Sequence, residues 1–329
     1  MAGFLKSVTI AGGGLAGLSL GIALRRRGVT TTLHEAGSYP RHRVCGEFVS
    51  GVTDETLERL GIVRHFRDAV PLVSARWFDA AGPVASLRVE AMGISRWLLD
   101  DRLQQDFQES GGNLHANSRA DPGGKIVWAA GREKTQGNWI GLKCHARGLE
   151  LAKDLEMHLG SNGYIGLARI EGGLVNVCGL FRKQPGIGGK EALFQCLRAG
   201  GLDRLAERIV AAQLDAFCAV AGFHFGRQRG PEFSIGDAAR MIPPFTGNGM
   251  AMAIESAACA LDPLLEYAAG KLSWREAAEC TARAQQLRFR RRMAAALLMQ
   301  ALLTSVPGLV CALARRGCIP NQFLLSLVR

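Results

Sequence analysis

What this 329-residue chain lacks narrows it first. Its nine cysteines, Cys45, Cys144, Cys178, Cys196, Cys218, Cys259, Cys280, Cys311 and Cys318, are scattered, odd in number and form no CxxC pair. That pattern argues against a disulfide framework and a cysteine zinc site, and a reducing cytoplasm is the expected compartment. The seven histidines show neither metal-ligand spacing nor the partners of a nucleophilic triad, so no metal is expected. No small-residue cleavage site follows a separate apolar core near the start, so no secretory leader is expected. Internal repeats and low-complexity linkers are absent as well. Aromatic residues are only 7% of the chain and are not interleaved with the arginines, so nucleic acid is not an expected partner despite the net charge of +11. The charge is local: residues 275–329 hold nine Arg against two Glu, seven of the eleven net charges. With 48% hydrophobic residues, the chain is long enough for a large α/β domain carrying a second, smaller one.

What is present is concentrated at the N-terminus. The apolar run 7–11 leads into Gly12-Gly13-Gly14-Leu15-Ala16-Gly17 and a helical stretch to Arg27. This is the phosphate-binding turn of a dinucleotide fold: Gly12 allows the turn, Gly14 lets a pyrophosphate approach, and Gly17 lets strand and helix pack closely. Gly28 closes the helix, residues 29–33 supply a second strand, and Glu35 stands where a carboxylate accepts both hydroxyls of an adenosine ribose. An acid there favours FAD or NAD over a 2′-phosphorylated nucleotide.

Farther along, residues 53–67 and 97–110 read as helices, 73–78 and 84–89 as strands, and Lys125 to Gly131 as a buried parallel strand ending on a small-residue turn. Residues 139–145, 163–168 and 174–180 alternate as three antiparallel strands, with Glu171-Gly172-Gly173 as a hairpin turn, and 188–211 read as helical. The chain then returns to a strand and glycine-rich turn at Phe233-Ser234-Ile235-Gly236-Asp237, which opens a second block running through Pro243-Pro244-Phe245-Thr246-Gly247-Asn248-Gly249-Met250 into an alanine-rich helix. Asp237 can accept a ribityl hydroxyl, and the amides of 247–250 can point at the carbonyl edge of a cofactor ring.

With these two blocks, Arg43-Val44-Cys45-Gly46-Glu47-Phe48-Val49-Ser50 and Gly93-Ile94-Ser95-Arg96-Trp97-Leu98-Leu99-Asp100, the sequence resembles the FAD-dependent oxidoreductases of the aromatic-hydroxylase and geranylgeranyl-reductase superfamily over nearly its whole length. The resemblance implies a Rossmann-like α/β FAD-binding fold with an inserted antiparallel sheet and a helical C-terminal tail. It implies an FAD-binding domain at 1–72, 91–138 and 228–270, a substrate-binding sheet domain at 73–90 and 139–227, and a tail at 271–329. It assigns the FAD site to Gly12, Gly14, Leu15, Ala16, Gly17, Glu35, Ala36, Arg43, Arg96, Asp237, Pro244, Gly247, Asn248, Gly249 and Met250, with NAD(P)H as a transient reductant. One departure stands out: the Asp-Gly of the middle motif is replaced by Ala129-Ala130-Gly131-Arg132, which weakens the claim of a standard pyridine-nucleotide interaction.

The resemblance implies an oxidoreductase, foremost a monooxygenase acting on an apolar phenol-, polyketide- or prenyl-like molecule. A flavin reductase of isoprenoid C=C bonds is the alternative, and a non-catalytic flavin-binding protein a third. No WxWxIP segment points to a halogenase. Cys45 either faces flavin or substrate or is a small buried residue, and Glu47 is a candidate proton donor or substrate-orienting group. His34 and His42 read as packing or surface residues. In the tail, residues 293–314 are uncharged between arginine clusters and broken at Pro307-Gly308. They read foremost as helices covering the substrate cavity, then as a helix on an anionic membrane surface, and last as a span. A monomer or homodimer in the cytoplasm, with peripheral contact to the inner membrane surface through this tail, is the expectation.

Overall fold

The computed structural model describes residues 5–121, 123–132 and 137–328. Residues 1–4, 133–136 and 329, which fall in the expected first domain and tail, lie outside the described residues, as does Pro122. In chain order, β1 (Val8–Ala11), α1 (Leu15–Arg25) and β2 (Thr31–Glu35) form the N-terminal βαβ unit, followed by β3 (Phe48–Ser50) and α2 (Asp54–Leu60). The long hairpin β4 (Val70–Asp79) and β5 (Gly82–Gly93) precedes α3 (Arg96–Glu109), β6 (Asn113–Ala116) and β7 (Ile126–Trp128). Then come β8 (Trp139–Arg147), β9 (Leu155–Gly160), β10 (Gly163–Ile170), β11 (Leu174–Arg182), α4 (Ala192–Ala199), α5 (Asp203–Val210) and β12 (Gln213–Ala221). The chain ends in α6 (Gly249–Ala268), α7 (Trp274–Ser305), α8 (Pro307–Arg315) and α9 (Asn321–Leu327).

The strands make two main sheets. A parallel sheet has the order β6-β2-β1-β7. Its crossover helix α1 is buried on nearly every side, because α6 and α3 sandwich it, and Leu18, Leu20, Ile22 and Leu24 lie in one core with Ile10, Leu103, Phe107 and Ile254. The second sheet has eight strands in the order β12-β8-β11-β10-β9-β4-β5-β3, antiparallel except for the β4–β9 pair. Alternation gives it two faces. Leu142, Cys144 and Ala146 of β8 pack under α4 and α5, whereas Lys143 and His145 point the other way, toward the loop that carries Glu47.

Local reading and structure differ in three places. The region expected to hold three strands holds four: the added β9, Leu155-Glu156-Met157-His158-Leu159, alternates apolar and ionisable residues, yet its Glu and His are buried as well as its leucines. Those two side chains satisfy one another, His158 Nε2 lying 2.8 Å from Glu156 Oε2, with Arg208 as a third partner. The expected helix at 188–211 is two helices, since Gly201 takes a left-handed φ of 77° between them. The expected strand at 233–237 is reduced to a single bridge between Trp128 and Ser234, after which Gly236–Ala238 forms a 3-10 turn.

Candidate active site

The glycine turn is built by close approaches of backbone to backbone. Gly12 has φ +106°, and a Cβ there would lie 2.3 Å from the carbonyl oxygen of Ala129 at the end of β7. A Cβ on Gly17 would lie 2.0 Å from the carbonyl oxygen of Gly12, so neither position accepts a side chain. Gly14 is different. It caps α1 with an extended backbone and no side-chain cap, and the nearest atom to its missing Cβ is Arg96 Nη2 at 3.8 Å. An unhindered cradle at the first turn of a helix, with amides lacking intrahelical partners, is what a diphosphate requires.

Glu35 closes this turn. Its Oε2 accepts from the Gly13 amide at 2.8 Å and its Oε1 from the Gly37 amide at 2.9 Å, with Arg41 2.9 Å away. Arg41 and Gly37 both meet Oε1, so Oε2 is the oxygen that keeps an acceptor site for a ribose hydroxyl, a carboxylate offering about four in all. Ala36 is exposed beside it. Tyr39 donates its hydroxyl to the Gly13 carbonyl at 2.6 Å, and Asp100, fully buried, holds Arg43 at 2.9 Å and Arg96 at 2.7 Å. Tyr39, Arg41 and the hold of Asp100 on Arg43 are not visible in the sequence, because they join loop residues to one another or to α3, whereas Asp100 and Arg96 are an i,i+4 pair within α3.

Asp237 reaches the same place from the far end of the chain. Gly236, with φ +62°, abuts Ala16, and its amide donates to Ser256 Oγ at 2.8 Å, which fixes the 3-10 turn against α1 and α6. Among the described residues, Asp237 has no hydrogen-bond donor. Burial pushes its carboxyl up to about 6, with Arg96 and Arg132 pulling the other way. A withdrawn acid without a donor, beside an open glycine cradle, fits a ligand hydroxyl.

The second expected cluster forms the N-terminus of α6. Gly247 has φ +67°, and a Cβ there would lie 2.0 Å from the Phe48 ring. Tyr164 of β10 donates to Gln300 of α7 at 3.3 Å and accepts from the Phe245 amide at 3.3 Å, tying Pro244–Thr246 to the large sheet and the tail. Asn248 is fully buried; its amide donates to the carbonyls of Thr246 and Val328, while its Oδ1 has no donor among the described residues. Gly249 has open space where its Cβ would be, and Met250 is buried in the core of the first sheet. The amides here lie at a helix start with no side-chain cap. The sequence-named residues therefore gather in two adjoining groups, Gly12–Gly17 with Glu35, Arg43, Arg96 and Asp237, and Pro244–Met250.

Between them lies an ionisable cluster the sequence reading only half named. Glu47, fully buried with an unusual φ of 55°, accepts from Lys143 Nζ at 2.5 Å, from the Arg96 amide at 2.9 Å, and lies 2.6 Å from His145 Nε2. Burial alone would raise its pKa, but His145 and Lys143 outweigh it and hold the carboxyl below its usual range. Glu47 is thus fixed as an anion, which suits orientation and charge balance better than proton donation. Lys143 and His145 stand two apart on β8, and that polar pair inside an apolar strand was the available signal. His42 sets its ring edge-on to His145, 5.1 Å between centroids, and stacks on Trp97. Cys45 is withdrawn beside Arg96, and burial raises its pKa, so it stays a thiol. Where the middle motif departs from the family pattern, Arg132 lies 4.3 Å from the Phe223 ring centre and donates to the Gly222 carbonyl at 2.7 Å.

Next to Phe245 and Thr246, an apolar cavity opens between the large sheet and the tail, lined by Trp77, Val84, Leu159, Leu303, Val310 and Leu325 among others. α8 and α9 form its outer wall, so the tail does cover a cavity.

Residues 6–98 match the family model described as FAD binding domain. No curated protein matches the chain. Solved structures of the same fold include P. aeruginosa PqsL in complex with 2-aminobenzoylacetate, at 14% identity and TM-score 0.73, covering 91% of this chain and 96% of that one. A geranylgeranyl bacteriochlorophyll reductase-like protein from Thermoplasma acidophilum aligns at 19% identity and TM-score 0.72, over 92% and 89% of the two chains. The p-nitrophenol 4-monooxygenase PnpA from Pseudomonas putida DLL-E4 aligns at 14% identity and TM-score 0.75, over 98% and 96%. The chain therefore carries an FAD-binding domain within the fold these proteins share.

Proposed function

From an N-terminal FAD-binding domain in this fold, we propose that the chain is an FAD-dependent monooxygenase that uses NAD(P)H and acts on an apolar small molecule. The residues present fit FAD. The cradle at Gly14 would take the diphosphate, Glu35 the adenosine ribose, Asp237 the ribityl chain, and the amides of 247–250 the carbonyl edge of the ring. When bound, FAD supplies electron transfer from the nicotinamide and activation of dioxygen for insertion into the substrate.

The protein's own part is to bind, orient and exclude water. Arg96, fixed by Asp100, places positive charge beside the diphosphate cradle and keeps Asp237 partly compensated. Glu47 anchors Lys143 and His145 on the strand that faces the cofactor site, so their donors are held in one geometry. The cavity beside Phe245 is the observation that carries the substrate class, because its wall is almost wholly aliphatic and aromatic and it adjoins the ring-edge loop. Reduction of the purified yellow protein by NADPH under nitrogen, followed by oxygen-dependent hydroxylation of a lipophilic phenol, polyketide or prenyl compound, tests this reading. NADPH oxidation that never couples to oxygen insertion in any of these contradicts it.

A second reading, saturation of an isoprenoid C=C bond, is supported by the fold the chain shares with a geranylgeranyl bacteriochlorophyll reductase-like protein. Substrate turnover without oxygen would establish it in place of the first.

A further inference from the structure

We propose that the outer face of the α7–α8 elbow is a docking surface for an anionic lipid bilayer. The last five turns of α7 and all of α8 are two-faced. Inward, Phe289, Met293, Ala296, Leu303, Cys311 and Ala314 are buried against α6, the large sheet and the cavity. Outward, Leu298, Leu302, Val306, Leu309 and Leu313 are exposed around a bend of 103°, with Phe323 of α9 exposed farther along. A contiguous run of large apolar side chains turned to solvent marks an interaction site.

The charge pattern selects the occupant. Glu279 is the last acid in the chain, and everything after it that is charged is arginine. Arg288 and Arg292 share the one carboxylate of Glu255, and Arg315 pairs with Asp79. Arg290, Arg291 and Arg316 are exposed, and among the described residues they pair with no acid. They sit at the two ends of the apolar run. Unpaired arginines flanking exposed leucines attract anionic headgroups while the leucines enter the acyl boundary. A second copy of the chain would bring the same arginines against each other, which repels.

The same geometry favours a surface contact over a span. No single described helix is long and apolar enough to cross a membrane, and α7 with α8 satisfies length and composition only as a pair bent by 103°. The inner side of that pair is committed to the protein, since Arg292 is buried against Glu255 and Gln300 bonds Tyr164. A helix tied down on one side lies on a surface. Because the cavity lies behind these helices, a lipid-soluble substrate would enter from the bilayer; this last point rests on the proposed activity, whereas the docking does not.

The test is co-sedimentation of the purified FAD-loaded protein with vesicles of phosphatidylglycerol and phosphatidylcholine, and with phosphatidylcholine alone. Binding to the anionic vesicles only, released by high salt, is expected. Substituting Arg290→Gln, Arg291→Gln and Arg316→Gln should weaken it by about fivefold per arginine, and Leu298→Gln with Leu309→Gln should abolish it. All five side chains are exposed, so the visible flavin spectrum and the melting temperature should stay unchanged, which separates loss of docking from loss of fold or of cofactor. No binding to anionic vesicles, equal binding by the variants, or a dimer in solution that the leucine substitutions dissolve would overturn the proposal.

Discussion

At the scale of single residues, two carboxylates carry opposite electrostatics. The Asp237 carboxyl stands at about 6 in the fold against 3.8 ordinarily, so the FAD-free protein binds its proton more tightly than the unfolded chain does. Its stability should rise as pH falls through 6 and level off below 3.8, a gain of about 3 kcal/mol at most. Asp237→Asn should therefore melt a few degrees higher than wild type at neutral pH without cofactor, yet bind FAD more weakly; thermal melts and a flavin titration check both halves. Glu47 is the reverse case. Its pKa is depressed below the usual 4.5, so its contribution is present above that pH and fades as pH falls through the folded value. Glu47→Gln leaves Lys143 charged and buried, and should cost roughly 3–5 kcal/mol in urea unfolding. A second change, Lys143→Met, should recover part of that loss, because the pair is then replaced by neutral groups. Of this chemistry, Glu35 and Asp237 were legible in the sequence from their places after the second strand and the second glycine-rich turn, and Arg96 from the family resemblance alone. Lys143 and His145 were not singled out, because their significance depends on β8 lying opposite residue 47, a contact nearly a hundred positions away.

At the scale of elements, the strongest local signals held. The β1–α1–β2 unit was readable because strand, turn and helix follow one another within 28 residues and bury a continuous core. β9 was not, since its charged pair only makes sense once Arg208 of α5 arrives. The tail was partly legible: the break at Pro307 predicts two helices, and two are formed, but nothing local shows that Val328 returns to the Asn248 amide. α7 is anchored through Glu255, which is 2% exposed and receives Arg288 and Arg292 at 2.6 Å each. Glu255→Ala would strand Arg292 inside the α6–α7 contact, and a loss of about 3–5 kcal/mol is expected. Because α6 begins at the ring-edge loop, that variant should also lose FAD faster on dilution, measured by the rise in free-flavin fluorescence.

At the scale of the whole molecule, the proposed FAD would draw on groups that the chain separates by more than two hundred residues. Gly12 to Gly17 and Glu35 come from the first βαβ unit, Arg96 from α3, and Asp237 and the 244–250 loop from the return of the chain after the large sheet. Folding brings Gly236 against Ala16, and with it an acid that has no donor among the described residues beside an open cradle. The most direct measurement is a titration of the FAD-free protein with FAD, for wild type and for Gly14→Val. Position 14 has an extended backbone and an open space, so the valine should leave folding and melting temperature unchanged while filling the cradle. The account predicts one FAD per chain for wild type and none for Gly14→Val at equal helical content; equal FAD binding by both proteins, or no binding by wild type, would contradict it.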